Sequence, residues 1–204
     1  MRLYAVYVIN DNGLCLFNQA FTAVAPPYNL ITGLLTAMQN FVFEVTGSYP
    51  TDLSAGGFTF HMEKYGPLTV VLSTSNEKQP IPRLNQLGVR FLQRFGDKIE
   101  GWKGRVSEFT GFTEDVKDIL GDFEIQKRVD PKNPLTALAL LSLDSDLQDV
   151  AKALIQVGEA SSTELSKLAG KNEYITRLHC EELVKLGHVG RIHKSDDEFV
   201  YFVR

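Results

Sequence analysis

The chain has 204 residues, 44% apolar and 23% charged, with a net charge of −4. This is globular composition, long enough for two small domains or one larger one, and the acidic balance leans against a free, avid nucleic-acid binder. Two cysteines, Cys15 and Cys180, make no disulfide or metal-ligand pattern, and no apolar run nears the roughly 18 residues of a membrane span or resembles a signal peptide, so a cytoplasmic location is expected.

Leu3 to Ile9 is β-branched and aromatic, with apolar side chains at alternate positions on both faces. "NDNG" (Asn10 to Gly13) supplies residues that tolerate positive φ, and "LCLFNQAF" reads as the return strand of a hairpin. Apolar residues on both faces predict a sheet covered by helices on both sides. Pro26 and Pro27 stop the second strand. A helix is expected from about Asn29 to Thr46, with Leu30, Leu34, Met38, Phe41 and Val45 at spacings of three or four. Ile31, Leu35 and Val42 lie beside them, and Gly47 is the expected stop.

"LSAGGFTFHMEKYG" and "PLTVVLSTS" read as the remaining strands, joined at Tyr65-Gly66-Pro67. "QPIPRLNQLGVRFLQRFG" then predicts a helix opened by proline, packing Leu84, Leu87, Phe91 and Phe95 and ending at Gly96. A shorter helix is expected over Thr113 to Leu120. His61 reads as ordinary strand content, since no second metal ligand or nucleophile stands near it in sequence, and Trp102 reads as a packing residue.

This order of hairpin, helix, strands, helix and short helix resembles the longin domain of the longin/roadblock superfamily. The stretch "GGFTFHMEKYGPLTVVLSTSNEKQPIPRLNQLGVRFLQRF" carries the resemblance, which covers residues 1–121. Longin and roadblock domains bind protein partners, small GTPases among them, and pair with one another. The resemblance therefore implies a docking platform for a small GTPase or a longin/roadblock-type subunit, with homo- or heterodimers expected. Phe41, Phe58 and Phe60 are the candidates for a partner groove beside the first helix, or for an exposed sheet edge that accepts a strand.

Periodicity is lost over "FEIQKRVDPKNP" (residues 123–134), and Leu135 to Leu143 resumes an apolar helix, so residues 122–143 are expected to form a linker and bridging helix. "DSDLQDVAKALIQVG" predicts a helix with acids at its start, where the dipole favours them. "SSTELSKLAG" places Ser161 and Glu164 as a capping box, with Gly170 at the helix end. A further helix over "NEYITRLHCEELVKL", the turn "LGHVG", and a hairpin of Arg191 to Lys194 with Phe199 to Val203 complete the chain. "TELSKLAGKNEYITRLHCEELVKLGHVGRI" resembles the winged helix-turn-helix fold over residues 144–204. The expected class is thus α+β: a longin-like mixed or antiparallel sheet with helices on both faces, then a small winged helix-turn-helix domain.

Winged helices serve DNA binding and protein assembly alike. Glu173, Arg177, Glu181 and Lys185 follow one another at intervals of four, so each base is expected to be partly neutralised by its own helix. The expected tip of the hairpin, "SDDE", is acidic. Residues 144–204 hold eight basic against eleven acidic residues, a net −3. A basic patch of Lys167, Lys171, Arg177, Arg191, His193 and Lys194 is the candidate contact for nucleic acid or a partner, and it is thin for counterion release.

No Walker loop, no G-x-S-x-G elbow and no nucleophile paired with His61, His179, His188 or His193 occurs in the sequence. No cofactor, metal or catalytic residue is expected. The sequence favours a non-enzymatic adaptor or regulator, with the winged helix as an assembly module. The alternative is a DNA-binding transcription regulator whose longin-like domain senses or dimerises. A third reading is an enzyme whose site is assembled from scattered polar residues, and a ligand or metal in a pocket lined by His61 would favour it.

Overall fold

The computed structural model describes residues 3–75, 83–121, 127–195 and 198–203. Contacts divide the chain into two compact units, residues 1–21 with 25–123 and residues 22–24 with 124–204. The class is α+β, with antiparallel sheets of five and three strands accompanied by helices.

In the first unit β1 (Leu3–Asn10) and β2 (Cys15–Ala20) form the expected hairpin. The Asn10 side-chain oxygen accepts from the backbone N–H groups of Asn12 and Leu14, and Gly13 takes a φ of 78° that closes the turn. Helix α1 (Tyr28–Thr46) follows and ends on left-handed Gly47, whose N–H bonds the Phe43 carbonyl at 2.8 Å. Then come β3 (Asp52–Ala55), β4 (Phe58–Tyr65), β5 (Leu68–Ser75), α2 (Leu84–Ile99), a 3-10 turn at Val106–Phe109 and α3 (Phe112–Leu120). The sheet runs β2-β1-β5-β4-β3, so β1 and β5 are central and β2 and β3 are its edges.

Strand alternation explains how helices come to lie on both faces. Ala5, Tyr7 and Ile9 of β1, with Phe60, Met62 and Val71, pack under Ile31 and Leu35 of α1. The intervening residues face the other way. Val8 pairs with Phe17, whose ring meets Phe112 of α3 edge-on at 5.1 Å, and Phe112 meets Phe91 of α2 at 4.9 Å. Phe91, Phe109 and Phe112 are wholly buried. Edge-to-face pairs of this kind add about 0.5–1.5 kcal/mol each beyond the area they bury.

Leu84, Leu87, Phe91 and Phe95 form the buried face of α2 as expected, but the helix passes through Gly96 and ends at Ile99. Gly96 has open space around it and continues the helix. A glycine is only a weak helix breaker, costing about 1 kcal/mol, and packing of Phe95 overrides it. Gly88 is different in kind. A Cβ there would stand 2.3 Å from the Tyr65 ring, so the bare backbone lets α2 lie directly on the aromatic of β4. The proline-led start expected at residues 79–82 lies outside the described residues.

In the second unit α4 (Ala137–Ser142) and α5 (Ser145–Val157) precede β6 (Glu159–Ser161), α6 (Ser162–Ala169), α7 (Glu173–Lys185), β7 (Gly190–Ser195) and β8 (Glu198–Phe202), with strand order β6-β8-β7. Leu147, Val150, Leu154, Leu165, Leu183, Val189 and Tyr201 are buried in its core. The capping box is present in full: the Ser161 hydroxyl accepts from Glu164 N–H, and the Glu164 carboxylate accepts from Ser161 N–H at 2.8 Å. Gly170 closes α6 in the left-handed region, and the Asn172 side chain caps α7 through Tyr174 N–H.

Residues 127–133 are fastened along this unit. Lys127 and Arg191 exchange backbone hydrogen bonds at 2.9 and 2.7 Å, Asp130 N–H bonds the Gly187 carbonyl, and His188 Nδ1 stands 2.8 Å from the Asn133 carbonyl oxygen. Most of the apolar helix expected over Leu135 to Leu143 is present as the six-residue α4, none of whose side chains is buried. Residues 122–126 of the expected linker, and Asp196 and Asp197 of the acidic hairpin tip, lie outside the described residues.

Candidate functional site

The expected basic patch is largely neutralised within the second unit. Arg177 bonds Glu173 at 2.5 Å, one turn earlier on α7, and its Nε donates to Ser162. Lys171 reaches back to α5, donating to the Asp146 carbonyl at 3.1 Å and lying 3.3 Å from the Asp149 carboxylate. Lys194 stands 3.7 Å from Glu159. Lys167 is exposed in the last turn of α6. The His193 ring lies tilted against Phe199 with centroids 4.8 Å apart, and its Nε2 is buried with no hydrogen-bond partner among the described residues.

Arg191 departs furthest from its expected role. It is 4% exposed, and its guanidinium binds both oxygens of Glu181, at 2.7 and 2.6 Å, inside the unit. A buried guanidinium bonded in this way cannot also reach a phosphate. Its candidacy as a nucleic-acid contact is therefore corrected. The same pair alters the reading of α7. Glu181 is not a partner of Lys185 on a solvated face; Lys185 pairs instead with Glu182 at 3.0 Å. Tyr201 completes the cluster by donating to Glu181 at 3.2 Å. Burial, followed by the neighbouring Glu181 carboxylate, pushes the Tyr201 phenol well above its usual range, so it remains a donor.

The outward sector of α7 carries apolar side chains beside the Glu182–Lys185 pair. Tyr174, Ile175 and Leu178 are each between 38% and 49% exposed, and Leu186 joins them just past the helix end. A rotation of about 100° per residue brings these four within roughly a third of the helix circumference. Leu168 at the end of α6 is exposed as well. The spacing of these apolar residues is visible in the sequence, interleaved with the helix's charges.

The first unit presents a second apolar face. Helix α1 carries two stripes: Ile31 and Leu35 are buried against the sheet, whereas Leu30, Leu34, Phe41 and Val45 are between 52% and 70% exposed. The second set spans 15 residue steps, about 22 Å of helix, and the whole of α1 holds a single charged residue, Glu44. Of the three expected groove residues, only Phe41 lies on this face. Phe60 is 3% exposed and belongs to the core, and Phe58 packs between Tyr4 and Phe60. Phe58 and Phe60 are corrected accordingly: their period-two alternation with Met62 turns them under α1.

His61 sits in a line of polar groups across three strands. Its Nδ1 pairs with the Asp52 carboxylate on β3, and its Nε2 is 3.1 Å from the Thr74 hydroxyl on β5. The line has the outline of a charge relay, yet Thr74 is fully buried and its hydroxyl donates to the Ser75 carbonyl at 3.0 Å. A hydroxyl without access or a free proton is no nucleophile. The arrangement instead ties the short edge strand β3 to the sheet. Among the described residues no cluster of His, Cys, Asp or Glu could hold a metal ion, and no helix is long and apolar enough to cross a membrane. Cys15 and Cys180 are both buried, and the Cys15 thiol lies 3.3 Å from the Phe17 carbonyl oxygen.

No protein-family model and no curated protein matches this chain.

Proposed function

We propose that the chain is a non-enzymatic adaptor or regulator: a longin-like platform that takes protein partners, joined to a winged-helix unit that serves as an assembly module. The observation that carries the proposal is the outer face of α7, where Tyr174, Ile175 and Leu178 lie in place of free cations. Aromatic and aliphatic side chains gain by burial against another protein, while a duplex is held by unpaired Lys and Arg on its phosphates. The pairing of Lys171, Arg177 and Arg191 with carboxylates supports the same reading. An antiparallel sheet with α1 on one face and α2 and α3 on the other supports the longin-like reading of the first unit. The exposed stripe of α1 is the surface through which that platform would take a small GTPase or a longin/roadblock-type subunit.

The test is capture from native lysate by the whole protein beside two exposed-face variants, Tyr174→Ser/Leu178→Ser on α7 and Leu30→Ser/Phe41→Ser on α1. The proposal expects proteins retained by the parent and lost from one or other variant, with circular dichroism unchanged. Equal capture by all three proteins contradicts it.

A further inference from the structure

We draw no further inference here: the strongest candidate, the exposed surface patch of Leu138 and Leu141 on the short apolar helix α4 of the second unit, carries nothing because nothing in the structure shows what covers it.

Discussion

Arg191 on β7 and Glu181 on α7 form a two-pronged ion pair with both side chains almost wholly withdrawn from solvent. The pair joins helix to hairpin, and Tyr201 supplies a further donor to the same carboxylate. Two charges taken out of water are costly to bury, and removing one leaves the other uncompensated. Arg191→Met is accordingly expected to destabilise the unit by about 3–5 kcal/mol, while Arg191→Met/Glu181→Leu recovers most of that loss. Urea unfolding followed by tyrosine absorbance measures both. A single variant within about 1 kcal/mol of the parent would show that the buried charge relaxes at little cost.

The two stripes of α1 make opposite predictions. Leu35→Ala opens a cavity against the sheet and is expected to cost about 2–5 kcal/mol. Phe60→Ala beneath it is expected to cost about 3–5 kcal/mol. Leu34→Ser and Phe41→Ser, one residue from a buried position or two turns along, are expected to stay within about 0.5 kcal/mol. Trp102, the sole tryptophan, lies in this unit and reports its unfolding.

Gly88→Ala probes how α2 is seated. The added methyl overlaps the Tyr65 ring, and the backbone of a packed helix cannot retreat cheaply. A loss of about 1–3 kcal/mol is expected, against a gain for Gly96→Ala, which has open space and a helical backbone. Thermal denaturation of the two variants should shift in opposite directions.

His179 gives the second unit a pH dependence. Burial, and after it the Lys171 ammonium, hold its imidazole below the usual 6.5, while Asp146 and Asp149 pull weakly the other way. Its Nδ1 is buried without a hydrogen-bond partner among the described residues. The unfolded chain therefore takes up this proton more readily than the folded one. Its neutral form is fully accommodated above the unfolded pKa of about 6.5, and stability is lost as pH falls below it. Urea midpoints measured from about pH 7.5 down to pH 5.5 should fall for the parent and fall less for His179→Gln. Parallel curves would contradict the assignment.

Much of the architecture could be read from the chain because local signals and tertiary packing agree. "NDNG" closes its hairpin, Gly47 and Gly170 end their helices, and Ser161 with Glu164 forms the capping box that their spacing implied. Where they diverge, periodicity is the weak link. Apolar residues on α1 outnumber those one sheet face can bury, and spacing alone does not say which stripe turns inward. Glu181 shows a related limit. A glutamate four residues before a lysine reads as a surface pair, until a residue ten positions later in the chain supplies a buried arginine.

The central claim is that the exposed face of α7 serves protein contact and carries too little unopposed positive charge to hold a duplex. Its most direct test is anisotropy of the whole protein with a labelled random duplex, titrated from low to physiological salt. The account predicts no saturable binding tighter than the weakest nonspecific binders, about 10⁻⁴ M, at any salt. Tighter association whose logarithm falls steeply and linearly with the logarithm of salt, and which Lys171→Gln or Arg177→Gln weakens, would contradict it.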